Sequence, residues 1–285
     1  MTKNEMVEKI KDTLVRAGST FSEDKFCSYE QHISSETNEL GTWMLETIRD
    51  NAVVAKKNRS PLCDDTGIPH VVLEVGRNRA ITGELMEAIY EGIAAGLNEL
   101  PGRPMAILGD ERQRIDQSLG LNPDSAALLP GPFSVRYRTD EPEMLRLHIL
   151  MQGGGPEIRA KTYRVFHRHN MDVVMNEIIS WAKESVAQLG CSPCTLAVGI
   201  GRSHYEASSL MLQAMIDGNY NVQSEYEKKI TDAVNESNVG PLGLGGKTSV
   251  LATFMKIGEQ RASGVRIVCM RPCCCFEPRK AYTDL

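Results

Sequence analysis

Cysteine is the residue type with the most chemistry to offer in this chain of 285 residues. Cys269, Cys273, Cys274 and Cys275 crowd the stretch that runs on to Arg279 and Lys280, while Cys63 and Cys191 stand alone far upstream in polar, glycine-rich settings. Three such thiolates, gathered by the fold, could make one open metal cluster. An iron–sulfur cluster closed by four cysteines usually passes electrons, whereas one held by three leaves an iron that can bind substrate as a Lewis acid. Eight cysteines are many for a reducing compartment, where clustered thiols point to metal binding or catalysis ahead of disulfides. No short metal motif joins Cys63, Cys191 and the terminal run, so spacing alone leaves each open to a second reading as a small packed residue. For Cys27 that second reading is the better one.

Other residue groups could do chemistry beside them. Gly153, Gly154 and Gly155 follow a strand pattern; such a triplet lets the backbone approach a ligand and turn N–H groups toward an anion, or simply makes a tight turn. The run Gly240-Pro241-Leu242-Gly243-Leu244-Gly245-Gly246-Lys247-Thr248 ends like a phosphate loop but lacks the required glycine spacing, and no strand obviously precedes it, so nucleotide binding is rejected. Arg103 offers a planar guanidinium suited to a bidentate grip on a carboxylate. His148, His167, His169 and His204 read as packing or surface residues.

These groups must be positioned by regular elements. Met6, Ile10 and Leu14 predict a helix over 4–17 that closes on Gly18, and Leu40, Trp43, Met44, Ile48 and Ala52 predict another over 39–57. The first sixty residues therefore read as a helical part and 61–285 as the α/β part that would bind a cluster. Turn formers place Cys63 on a loop that runs into a strand, His70 to Val75. Leu85, Ile89, Ile93 and Leu97 predict a helix over 82–100. Strands are expected at 133–138 and 145–151, the second alternating in the manner of an antiparallel, one-sided strand. Asp172 is the expected N-cap of a helix ended by Gly190, so Cys191 falls between that helix and a buried strand at 195–200. Helices near 204–217, 223–236 and 248–259 and a strand at 265–268 complete the reading. The fold class expected is mixed α/β, one large domain with a mixed or antiparallel sheet surrounded by helices.

Composition narrows the function classes. With 41% hydrophobic and 24% charged residues, the chain can build a substantial core. No stretch reaches the roughly 18 apolar residues of a membrane span, and the N-terminus opens into a charged amphipathic helix, not a secretory signal. A cytoplasmic protein is expected, with no membrane partner. A net charge of −5, with no basic block carrying interleaved aromatics, argues against nucleic acid.

Five motifs occur in an order that carries a resemblance: Cys63-Asp64-Asp65-Thr66-Gly67; Gly153-Gly154-Gly155; Cys191-Ser192-Pro193 leading to Val198-Gly199-Ile200-Gly201; Gly240 to Thr248; and Cys275-Phe276-Glu277-Pro278-Arg279-Lys280. The chain resembles, along nearly its whole length, the α subunit of the class I, iron–sulfur-dependent fumarate hydratase and tartrate dehydratase family. The resemblance implies a [4Fe-4S] cluster held by Cys63, Cys191 and Cys275 with one iron bearing no cysteine; Cys273 or Cys274 could replace Cys275. Cys194, Cys269, Cys273 and Cys274 have no counterpart and read as small residues lining a packed loop. Departures stand at Asp64, where the family has Gln, at Ser192, where it has Pro, and at Arg202, where a second Gly often follows Gly201.

The resemblance further implies reversible hydration of a small dicarboxylate, fumarate and malate first, tartrate or another 2-hydroxy acid second. A non-enzymatic iron–sulfur or zinc protein, its sphere closed by the extra cysteines, is the reading of another class. Asp65 is expected to orient the departing oxygen or relay its proton. Arg103 is expected to stabilise carboxylate charge, and Asp64, Arg103, Gly153, Gly154 and Gly155 to bind substrate. The family's proton-removing base comes from a second domain, so a separate β subunit is expected to complete the site, in an α2β2 assembly or around an α dimer.

Overall fold

Helix α1 (Lys3–Ser19) starts where the side chains of Thr2 and Glu5 bond each other's backbone N–H groups, a reciprocal cap that satisfies two otherwise orphaned donors. In the computed structural model, which describes residues 1–285, the order continues α2 (Glu23–Ser35), α3 (Glu39–Asn58), β1 (Ile68–Gly76), α4 (Gly83–Glu99), α5 (Glu111–Asp116), β2 (Ser134–Arg138), β3 (Leu145–Gln152), α6 (Gly154–Glu157) and β4 (Lys161–Phe166). It ends with α7 (Met171–Leu189), β5 (Cys194–Gly201), α8 (His204–Asp217), α9 (Glu225–Asn235), β6 (Val250–Ile257), β7 (Val265–Cys273) and β8 (Arg279–Asp284). The chain forms two compact units: residues 1–21, 52–153 and 279–285 make the first, and 22–51 with 154–278 the second. The class is mixed α/β, as expected, with the strands divided between two four-stranded sheets.

In the first unit the strand order is β2-β1-β3-β8, β1 lying parallel to β2 and antiparallel to β3. Val71, Leu73, Val75, Leu145, Leu147 and Ile149 share a core with Ile10 and Leu14 of α1 and Ile89, Ile93 and Leu97 of α4. Two-residue alternation on the strands meets the helical stripe, as the patterns require. Between the apolar positions of β1 sits Glu74, buried, which accepts from Arg138 at 3.0 Å and meets His148 at 2.9 Å and Arg136 at 3.4 Å. Burial pushes the Glu74 carboxyl up, but the bonds to His148 and Arg138 outweigh it and hold it below the usual carboxylate range. Glu74→Gln is therefore expected to cost about 1–3 kcal/mol at neutral pH. A depressed native pKa contributes stability above the ordinary Glu value of about 4.3 that is lost as pH falls through the native value. Urea titrations of wild type and Glu74→Gln should thus converge in acid; a gap that stays constant from neutral pH to about pH 3 would refute this.

In the second unit the order is β4-β7-β5-β6, with β5 parallel to β6 and antiparallel to β7. Every residue of β5 is buried, as a strand covered on both faces must be. Leu196, Val198 and Ile200 join Ile178, Trp181 and Val186 of α7 and Ile230 and Val234 of α9. On the alternate face Gly199 lies so close to α8 that a Cβ there would come within 2.0 Å of the Ala207 carbonyl oxygen.

Two expectations are corrected. The helix expected at 248–259 is the strand β6: its short apolar run carries no period, and length with β-branched content should have decided for strand. Asn170, not Asp172, caps α7, its side chain accepting from the Asp172 N–H at 2.9 Å. Helix α2 was not resolved as an element of its own in the sequence, nor were β4 and β8. No helix is long and apolar enough to cross a membrane.

Candidate active site

Cys63 sits in a bend between α3 and β1 that the first unit pins at several points. The buried Leu62 donates its N–H to the Gly18 carbonyl at 2.9 Å, and buried Thr66 donates its hydroxyl to the Arg103 carbonyl at 2.9 Å. Arg279 donates to the Asp65 carbonyl at 2.7 Å. Gly67 has φ +81°, and a Cβ there would stand 2.5 Å from the Arg279 guanidinium and 2.9 Å from the Gln152 backbone, so glycine is required for both backbone and space. The first unit thus braces the bend that carries Cys63, Asp64 and Asp65 and sets the loop of Arg103 against it. Asp64 and the Arg103 guanidinium are 3.8 Å apart with side chains 81% and 54% exposed. Such an exposed pair holds little energy.

Cys191 and Cys275 are brought together within the second unit. Cys191 is exposed where α7 ends on Gly190 and before β5 begins, and its carbonyl accepts from the Cys275 N–H at 2.8 Å. Ser192, where the family has Pro, donates its hydroxyl to the Gly240 carbonyl at 2.6 Å, and the Ser192 carbonyl accepts from Leu242 at 2.9 Å. The glycine-rich loop is thereby a brace for the Cys191 segment. Its amides serve the protein itself: Gly243, Leu244 and Gly245 bond within the loop, and Lys247 and Thr248 donate to the Glu36 carboxylate. The loop leads into β6, not into a helix.

Cys275 lies in the turn after β7, only 4% exposed. Around it the Glu277 N–H reaches the Cys274 carbonyl at 3.0 Å, Tyr29 of α2 donates its hydroxyl to the Cys275 carbonyl at 2.8 Å, and Lys25 donates to the Glu277 carbonyl at 2.8 Å. Glu277, fully buried, receives the Arg271 guanidinium on both carboxylate oxygens at 3.2 and 3.1 Å; Arg271, equally buried, also pairs with Glu157. Cys273 stands opposite Thr195 in the sheet, where burial pushes its thiol well up, and burial does the same to Cys194. Cys269 neighbours Ser208 and is likewise pushed up by burial. The adjacent Cys274 thiol and burial raise Cys275 as well.

The glycine triplet does less than expected of its conformation. None of Gly153, Gly154 and Gly155 enters the left-handed region; the last two open the single turn α6, and the Gly155 carbonyl accepts from Arg159 at 3.0 Å. Open space surrounds Gly155 where a side chain would stand. A cavity of about 380 Å³ in the second unit, lined by Met171, Val174, Met175, Met255 and Ile257 among others, contains none of the candidate site residues.

Within neither unit do three His, Cys, Asp or Glu side chains converge as around a single metal ion. The soft thiol donors suit an iron–sulfur group, whose own iron and sulfide atoms keep its protein ligands apart. Lys25, buried beside the Cys275 turn, supplies positive charge where a thiolate-ligated group would add negative charge. The residues present fit such a group. Lys25, Tyr29, Arg271 and Glu277 were invisible to sequence reasoning as site residues, since only the contact of α2 with the turn gives them a place there.

A model of the fumarate hydratase family, Fumerase, matches residues 7–283. The chain belongs to this family. It is 26% identical over 290 aligned positions, covering 96% of each chain, to a candidate L(+)-tartrate dehydratase subunit alpha of Methanocaldococcus jannaschii. The L(+)-tartrate dehydratase subunit alpha of Escherichia coli is 21% identical over 95% of this chain and 88% of its own length. A candidate class I fumarate hydratase of Geobacillus stearothermophilus is 25% identical over 73% of this chain, which spans 41% of that longer relative.

Proposed function

We propose that this fumarate hydratase family member is the α-type subunit of an iron–sulfur hydro-lyase that adds water to, and removes it from, a small dicarboxylate. The observation that carries the reading is the 2.8 Å backbone bond tying Cys275 to Cys191 in a chain of this family. Cys63, Cys191 and Cys275 would hold a [4Fe-4S] cluster with one iron bearing no cysteine. When bound, the cluster supplies a Lewis acid that eases departure of hydroxide.

The chain's own residues do the rest. Asp65, braced through its carbonyl by Arg279, holds or relays the proton of the departing oxygen. Arg103 leaves its weak, exposed partner Asp64 to grip a substrate carboxylate in bidentate fashion, and preorganised donors of this kind stabilise the charge that grows as the neighbouring proton is removed. Asp64 accepts from a substrate hydroxyl, and Gly153, Gly154 and Gly155 allow the close approach of a carboxylate. A separate β subunit contributes the base, in an α2β2 assembly or around an α dimer, and the cytoplasm is the setting. Malate and fumarate are the first substrate pair. Tartrate is the second reading, favoured by the full-length matches to proteins named as tartrate dehydratase α subunits.

Anaerobic reconstitution with iron and sulfide, followed by assay of malate and L-tartrate dehydration with and without a cognate β subunit, tests this. A missing base is worth about 10²–10⁴ in rate, so the lone chain is expected to turn over at least a hundredfold more slowly than the pair. Full activity of the lone chain sinks the partner; no dehydration of either acid by the pair sinks the reading.

A further inference from the structure

Helix α2 presents two polar side chains one turn apart to the cysteine turn. Lys25 reaches the Glu277 carbonyl and Tyr29 the Cys275 carbonyl, each at 2.8 Å, and positions i and i+4 lie on one helix face. Both side chains are buried, Lys25 to 1% and Tyr29 to 0% exposure. Burying an ammonium costs several kcal/mol unless negative charge lies near it. Glu277 already receives Arg271 on both carboxylate oxygens, and Lys25 meets that residue through its carbonyl. Burial pulls the Lys25 ammonium down to about 8, and negative charge on the neighbouring cysteines and on Glu277 works against that pull. The two hydrogen bonds seat Lys25 and Tyr29 on the backbone of the cysteine turn, at Glu277 and at Cys275.

We propose that Lys25 is a positioning residue for the cluster: its buried charge offsets the negative charge of a thiolate-bound iron–sulfur group, while Lys25 and Tyr29 together hold the turn that presents Cys275. The inference rests on the reading under Proposed function and goes beyond it, because the reaction's own residues do not include α2.

The full chain, reconstituted anaerobically with iron and sulfide, tests it through the cluster's reduction potential and its rate of iron loss to a chelator. Lys25→Met removes the charge at similar length. Lys25→Gln also removes it but keeps an N–H for the Glu277 carbonyl, so it covers the case in which Lys25→Met does not fold. Lys25→Arg keeps the charge. The neutral variants are expected to shift the potential negative, since a lost cation makes adding an electron harder, and to lose iron about 10–100-fold faster; Lys25→Arg should stay near wild type in both. Neutral variants that fold and match the wild-type potential overturn the inference and leave the proposed function intact. Should Lys25→Gln retain too little cluster to titrate, retention in Lys25→Arg supports the charge and loss in both overturns it. A wild-type chain that takes up no iron and sulfide ends the iron–sulfur reading and the inference together.

Discussion

Cys275→Ser is expected to abolish cluster uptake and to lower hydro-lyase activity of the reconstituted α/β pair by roughly a thousandfold or more, the several kcal/mol of charge stabilisation that a metal Lewis acid supplies. The substitution leaves the turn standing, because the bonds that hold position 275, to the Cys191 carbonyl and from the Tyr29 hydroxyl, use its backbone. Loss of iron and sulfide at unchanged circular dichroism therefore isolates the thiol. Cys273→Ser and Cys274→Ser are the controls. Cys273 stands opposite Thr195 in the sheet interior, so its serine variant should lose about 1–3 kcal/mol of stability from a buried hydroxyl while keeping the cluster. Cys274→Ser should keep both. Normal iron content in Cys275→Ser with loss in either control would move the third ligand to that position.

Breaking the buried pair between Arg271 and Glu277 has the largest expected effect on stability. Arg271→Met leaves the fully buried Glu277 carboxylate without its guanidinium, at a cost of about 3–5 kcal/mol, and Glu277→Leu costs less because Arg271 keeps its pair with the more exposed Glu157. The double variant Arg271→Met with Glu277→Leu removes both charges, and Glu157, with a side chain 61% exposed, can turn to water. Most of the loss should then return, as replacement of a buried pair by apolar groups is often neutral. Guanidinium unfolding of the four proteins measures it. Single variants as stable as wild type, or a double variant as poor as the sum of the singles, would show that the pair does not brace the turn.

Much of the frame was legible because it is written in local periodicity. Met6, Ile10 and Leu14, and Leu85, Ile89, Ile93 and Leu97, mark their helices by spacing that only a 3.6-residue repeat explains. The alternation from Leu145 to Met151 marked a strand, and it pairs antiparallel with β1 and β8. Val250 to Ile257 misled because an apolar run without period suits either a strand or a buried helix. The role of the glycine-rich loop was hidden for another reason. Its amides face Glu36 and its own carbonyls, which no reading of consecutive residues can reveal.

Residue order alone supplied the short motifs around Cys63, Cys191 and Cys275, and with them the resemblance that made those thiols, Asp65 and Arg103 candidates. Those are properties of residue type and short spacing, and they survive without any knowledge of the fold. Only the folded chain decided that the Cys275 N–H meets the Cys191 carbonyl, that Cys273 faces the sheet interior, and that a lysine and a tyrosine from a helix near the N-terminus hold the turn. Such contacts join positions hundreds of residues apart in some cases, |i−j| being 252 for Lys25 and Glu277. Their energies come from burial and the low dielectric around paired charges, quantities that exist only once distant segments have packed.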